Sequence, residues 1–197
     1  MTKLAPTLYE LSVTTFLQTT RAVAGILDRT VKHCAGTGAD LEEIVSARLV
    51  PDMAPFHFQI EALKNHAVWG MEAVKTGAFA PPPLAGAVPF ADLRAMVAGA
   101  ITALEAFDSD EVNSWSGKNL DIEIHQPVDE ANATTSSWGA RTFAMTPETF
   151  LLSYSLPNFF FHSVTAYNIL RTRGVPIGKF HFQGQLRTRP DAGGPHQ

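Results

Sequence analysis

Apolar side chains recur at three- and four-residue steps through four long stretches of the chain, and that spacing predicts four amphipathic helices. In the first, Tyr9, Val13, Phe16, Thr20, Val23, Leu27, Val31 and Cys34 share one face of a helix over residues 7–34, stopped by Gly36 and Gly38. Asp40, with Glu43 three residues on, reads as a capping-box analogue opening a short helix to Ala47. Arg48 to Pro51 then reads as extended, because a residue ahead of proline avoids the helical region. Asp52 is a good N-cap for the second long helix, with Pro55 in its first turn. Phe56, Ile60, Leu63, Ala67, Met71 and Val74 form the stripe of that helix, which runs to Gly77. Four prolines between Ala78 and Pro89 forbid a regular ladder and mark a crossing loop. Phe90, Leu93, Val97, Ala100 and Leu104 make the third helix, ending near Phe107.

The pattern then changes. Leu120-Asp121-Ile122-Glu123-Ile124 alternates apolar and polar, the period of a half-buried strand. Gly139 to Met145 offers a partner, and the polar stretch between them, through Asn132 and Ser137, is too long for a tight turn. The expectation is a small β-hairpin with an extended loop. Thr146-Pro147-Glu148 opens the fourth long helix with a Thr N-cap, a Pro at N1 and an acid in the first turn. Gly174 closes it and Pro176 follows. The fold class is therefore all-α, a four-helix bundle with a β-hairpin between helices three and four. Residues 1–186 read as a single domain and 187–197 as a disordered tail.

The fourth helix breaks the pattern in one place. Leu151, Ser155, Asn158, His162, Thr165, Ala166 and Ile169 step along one face at about 100° per residue. That face starts and ends apolar, so it points at the core, yet its middle is polar. Buried polar groups cost free energy unless they are paired. Either a structural hydrogen-bond network or a site lies there. Pro157, inside the helix, frees the carbonyl of Ser153 and predicts a kink little more than a turn before His162.

Composition narrows the possibilities. The 197 residues carry a formal net charge of −4 and no basic cluster, which argues against nucleic acid as a partner. The single cysteine, Cys34, excludes an internal disulfide and a Cys-based zinc site, and reads as a plain buried thiol. Met1 to Gln18 has no apolar core of a signal peptide, since Glu10 interrupts it, and no run is long enough to span a bilayer. A cytoplasmic protein is the expectation. The sequon at Asn132 carries no meaning without secretion. A glycine-rich phosphate loop, a serine elbow and a His-Glu-x-x-His helix are all missing from the sequence.

His162 is the first candidate, because an imidazole has two nitrogens with different roles near neutral pH. The competing reading is a satisfied structural histidine. His66, on the shoulder of the second helix beside Gln59 and Leu63, either faces His162 across the bundle or is partly exposed. His57 reads as surface or interface. His33, His125, His181 and His196 receive no role. Asp52 reads as a cap rather than a catalytic acid. Phe159, Phe160 and Phe161 wrap the whole helix, so some of them line a second contact.

These residues resemble a known group. Arg48 to Met53, Asn65-His66-Ala67, Leu156-Pro157-Asn158-Phe159-Phe160-Phe161-His162, Ala166 to Arg171 and Gly174 to Lys179 look like an uncharacterised group within the DinB/YfiT-like putative metalloenzyme superfamily. The resemblance covers residues 5–183, with 126–138 longer than the usual hairpin turn. It implies a four-helix bundle, often dimeric. In the wider superfamily three histidines bind a divalent metal, one on the second helix and an H-x-x-x-H pair on the last; some relatives transfer small thiols or isomerise small acids. Here His66 matches the second-helix ligand and His162 one of the pair. The positions four residues either side of His162 hold Asn158 and Ala166, neither a good ligand for zinc or nickel.

Three functional readings follow. The preferred one is a metal-independent enzyme of isomerase or lyase type. In it a pocket walled by Phe and Met binds a small apolar or aromatic molecule, with His66, His162 and Asn158 at its polar end. A neutral imidazole there moves a proton in an isomerisation, dehydration or cyclisation, while Asn158 and Tyr167 hold a carbonyl oxygen. The second is a divalent-metal-dependent, thiol-transferase-like enzyme with His66 and His162 on the metal. The third is a non-catalytic homodimeric binding protein whose polar band fixes packing.

Overall fold

The computed structural model describes residues 5–125 and 140–188. The expected hairpin loop, its sequon and the tail beyond Thr188 lie outside the described residues.

The first rod is interrupted early. Thr7 and Glu10 form a reciprocal capping box on α1, Leu8–Leu11. Ser12 then leaves the helical region, and its hydroxyl donates to the Leu8 carbonyl at 2.7 Å. α2, Val13–Thr37, carries the predicted stripe and closes on Gly38 at φ 74° rather than on Gly36. Asp40 caps α3, Leu41–Val45, through the N–H of Glu42. Asp52 is not the cap of the next helix. Met53 N–H bonds the Val50 carbonyl at 3.0 Å and closes a turn, so α4, Phe56–Lys64, starts after Pro55.

The second rod is α4, a π turn over Asn65–Trp69, and α5, Gly70–Thr76. After it the chain makes β1, Ala78–Phe79, where the sequence predicted only loop; the prolines begin at Pro81, just beyond the pairing. α6, Phe90–Glu105, is the third rod, and the Glu42 carboxylate accepts from its first N–H, Phe90, at 3.1 Å. A short helix, α7, Ser109–Ser114, lies where no element was expected; Asp108 caps it through two N–H groups. β2, Leu120–His125, pairs antiparallel with β3, Ala140–Met145, and parallel with β1, giving a three-stranded sheet in the order β1-β2-β3.

The fourth rod is α8, Pro147–Phe150, a second π turn over Leu151–Ser155, and α9, Leu156–Thr172, closed by Gly174 at φ 81°. A final helix, α10, Lys179–Gln183, lies on α2. Around the bundle, α2 packs on α6, α6 on α4, α4 on α9, and α9 back on α2. Phe16 meets Phe159 edge-on at 4.9 Å and Phe56 stacks on Phe90 at 5.9 Å, all four fully buried. Cys34 is buried, as its stripe position requires. Among the described residues no helix is long and apolar enough to cross a membrane.

The π turns explain the odd fourth helix. Pro157 has no N–H for the Ser153 carbonyl, and a widened turn ahead of it removes the clash of its ring with the preceding turn. That turn inserts one residue, which rotates everything after it. The buried face runs through Leu151, Ser155, Phe159, Ser163, Thr165, Ala166, Ile169 and Leu170, while Asn158 and His162 lie on its half-buried shoulder. The two π turns lie against each other. Ser155 Oγ donates to the carbonyl of His66, and a Cβ on Gly70 would come within 2.2 Å of that oxygen.

Gly70 is therefore required by the close approach of the second and fourth rods. Gly70→Ala should destabilise the protein by about 1–3 kcal/mol through overpacking. Gly70→Ala with Ser155→Ala should cost less than the sum of the single changes, because the clashing oxygen is gone. Urea unfolding of the four proteins measures this, and strict additivity would refute it.

Candidate functional site

The π turns set the site. His66 sits in the first, buried to 9% exposure, and Tyr154 in the second. The parallel pairing of β1 with β2 lays Phe79 over the His66 ring, 5.1 Å away and within 14° of parallel. On α9, His162 presents its ring to His66 at 5.7 Å, with 12° between the planes. Tyr154 meets His66 edge-on at 5.5 Å and also contacts Phe79 and Phe150. Phe58 and Phe161 flank His162 at 5.7 Å and 5.3 Å. The result is two imidazoles in an aromatic box.

Burial sets their charge. Desolvation, with His162 nearby as a second cause, lowers His66 to about 3; desolvation lowers His162 to about 4. Both rings are neutral at pH 7, so each carries one N–H and one lone pair. Burial pushes the Tyr154 phenol up to about 12, so it keeps its proton. His162 Nδ1 lies 2.8 Å from Gln59 Oε1. Among the described residues His66 Nδ1 is buried without a hydrogen-bond partner, at a cost of about 1–3 kcal/mol for such a group.

Of the residues expected from the sequence, the structure brings His66 and His162 together. Asn158 is one turn from His162, and its amide nitrogen donates to the Tyr154 carbonyl at 2.7 Å. Tyr167 has other company: its hydroxyl donates to the Ile177 carbonyl at 3.4 Å and its ring meets Phe182. Ser163 and Thr165 donate to carbonyls of their own helix, at 2.6 Å and 2.7 Å, so part of the polar band is satisfied internally. Sequence reasoning missed Tyr154, Phe79, Phe58 and the role of Gln59. Gln59 had a signal, since it shares the His66 side of the second helix. Tyr154 is hidden by the π turn and Phe79 by a strand of two residues. Phe79, Tyr154, Phe58 and Phe161 supply the aromatic rings around the pair.

A divalent metal of the superfamily kind asks for three protein ligands. The residues here supply two imidazoles. Ala166 has nothing to ligate with, and Asn158 has its amide turned to the helix backbone. Among the described residues no group of three or more His, Cys, Asp or Glu side chains is placed to hold a metal ion. The donor set does not fit a three-histidine site. Two surface hollows, about 1220 Å³ and 520 Å³, lie elsewhere; Tyr9, Gln18 and Arg187 line the first, and Phe160, Lys179 and Phe182 the second. Neither includes His66 or His162.

Over residues 8–183 the chain matches a family described as a domain of unknown function, DUF1993. No curated protein matches it. Among solved structures, the crystal structure of a DinB family member protein from Shewanella denitrificans superposes with a TM-score of 0.72 at 24% identity. The match covers 92% of this chain and 94% of that one, and it shows the fold alone.

The lowered histidines make stability depend on pH. Their folded values lie below the unfolded value of 6.5, so between about pH 6.5 and 4 the unfolded chain binds more protons. Stability therefore falls as pH falls through that window, by up to about 1.4 kcal/mol per pH unit per histidine. In urea unfolding at pH 6.5 and 5, His66→Gln and His162→Gln should each flatten the slope. An unchanged slope in both would show that neither ring is buried in neutral form.

Proposed function

The chain belongs to the DUF1993 family and has a DinB-like fold, and from that premise we propose that it binds a small, uncharged, largely apolar or aromatic molecule against the His66–His162 pair and moves a proton on it. One observation carries this reading: a buried imidazole nitrogen without a partner, beside a second neutral imidazole, inside aromatic walls. A ligand atom that pairs with His66 Nδ1 removes a standing energetic cost. The aromatic walls favour a flat, apolar body. A carboxylate is disfavoured, because both imidazoles are neutral and would not compensate its desolvation.

The chemistry is proton transfer. A neutral imidazole lone pair accepts a proton from an activated C–H or O–H of the ligand. An N–H of the pair, or the Tyr154 phenol, returns a proton at another atom. Isomerisation, dehydration and cyclisation all need these two movements. Tyr154 stands in for Tyr167 in this reading, since the Tyr167 hydroxyl is engaged with Ile177. Asn158 lies within a turn of His162 and keeps its carbonyl oxygen for the ligand.

A non-catalytic binding role is the second reading. It is supported by the hydrogen bond of His162 to Gln59 and by the position of the two hollows away from the pair.

Titration of histidine-labelled protein with benzaldehyde, acetophenone and phenol, followed by the ring resonances of His66 and His162, tests the binding claim. We expect at least one compound to shift both rings in a saturable way. Silence of both rings with all three would sink the reading. For a compound that binds and has an acidic C–H, deuterium uptake from heavy water should fall by about 100-fold or more in His162→Gln. Binding with no such uptake would leave the non-catalytic reading in place.

A further inference from the structure

Gln59 is 1% exposed and makes two contacts with opposite chemical demands. Its Nε2 donates to the Ala54 carbonyl at 2.9 Å, and its Oε1 lies 2.8 Å from His162 Nδ1. The Ala54 carbonyl only accepts, so the amide nitrogen has to face it. That orientation leaves the amide oxygen toward His162, and an amide oxygen also only accepts. His162 Nδ1 must therefore carry the proton. We propose that Gln59 is a positioning residue that holds His162 as the Nδ1–H tautomer and leaves Nε2 as its one lone pair. The inference rests on the proton-transfer reading of the pair for its functional meaning, though not for its geometry.

The arrangement has a chemical logic. Free histidine in water prefers the other neutral tautomer, with the proton on Nε2. Without an acceptor at Nδ1 the ring would exchange between two forms, and the nitrogen able to take a proton would change with it. A histidine whose second nitrogen is pinned has a fixed base. An amide does this without adding charge. A carboxylate at the same place would pair with an imidazolium, whereas Gln59 is neutral in an aromatic surround. The anchor is well placed, because Ala54 lies just ahead of Pro55, the N-cap of α4, and Gln59 lies in the first turns of that helix. Gln59 thus ties the His162 proton to the start of the helix that carries His66 one rod segment further on.

The experiment is a long-range nitrogen–proton correlation spectrum of the ring nitrogens in histidine-labelled full-length protein at neutral pH. Wild-type His162 should appear as the Nδ1–H form. Gln59→Leu should lose that preference, with signal moving to the Nε2–H form or to an averaged position. Gln59→Glu should keep a proton on Nδ1, as the Nδ1–H tautomer or as the imidazolium, since a carboxylate oxygen also accepts. A purely structural role for Gln59, holding Ala54, would leave the tautomer unchanged in Gln59→Leu. Should Gln59→Leu fail to fold, Gln59→Met removes the acceptor with less change of shape. A wild-type His162 protonated on Nε2, or an unchanged tautomer in a folded Leu or Met variant, would overturn the proposal. The tautomer is read in the free protein. A pinned Nδ1–H together with silent rings in the aromatic titration would therefore remove the functional reading alone.

Discussion

The close contact between the two π turns is the constraint from which the site follows. Gly70 has no Cβ, so the Ser155 hydroxyl reaches the backbone of the second rod and donates to the His66 carbonyl. Pro157 favours a wide second turn, because it supplies no donor to the turn before it. The wide turn sets Ser155 inward and Tyr154 beside it. The helices that result are near enough for His66 and His162 to lie ring over ring. A regular helix in either place would put a different residue at the contact. π turns recur at functional positions because a regular helix does not reach such arrangements cheaply.

Most of the fold was legible as spacing. Stripes such as Phe56-Ile60-Leu63 or Phe90-Leu93-Val97 show a helix and its buried side at once, since period and burial have one cause. The hairpin was legible as alternation. What failed had local causes. Asp52 has the chemistry of a cap, but the Val50–Met53 turn spends the residues that would have started the helix there. Phe79 pairs through only two residues, too few to show a period. The face of the fourth helix was read with a constant step. That reading correctly chose Leu151, Ser155, Thr165, Ala166 and Ile169, and missed only in the two turns just after the π turn. Phe159 and Ser163 are buried where Asn158 and His162 were expected. His162 still reaches the site because the shoulder faces the second rod. Tyr167 does not, since α9 turns it toward the segment before α10.

Charge separates this site from the metal chemistry that the resemblance to DinB/YfiT-like proteins implies. Three imidazoles on a cation are mutually compatible because the cation offsets their desolvation. Two imidazoles alone in an aromatic box stay neutral. Neutral imidazoles are useful in a different way: they hold a lone pair and a proton at once, near enough to share a ligand. The aromatic walls reinforce this, since Phe79, Phe58 and Tyr154 give no formal charge that would draw an ionised ligand.

The unpaired nitrogen of His66 is the hardest feature to explain as packing. A core that needed only volume between Phe79, Tyr154 and His162 would be filled by an apolar ring at no hydrogen-bonding cost. Histidine there adds a desolvated donor or acceptor that nothing satisfies, about 1–3 kcal/mol out of a total stability of about 5–15 kcal/mol. Among the described residues Thr20 Oγ1 and the neighbouring Asn65 Oδ1 are also buried without a hydrogen-bond partner, while other polar groups of the core are paired. Ser155, Ser163 and Thr165 each have a carbonyl, and buried Glu61 accepts from the backbone of Ala85 and Gly86. Two of the three open atoms among the described residues, Asn65 Oδ1 and His66 Nδ1, fall in the same π turn, and such a local concentration is where a rule of packing yields to function. With Gln59 holding His162 Nδ1 and His66 Nδ1 open among the described residues, the two rings are unequal. One has its proton held in place, and the other is free to answer whatever binds beside it.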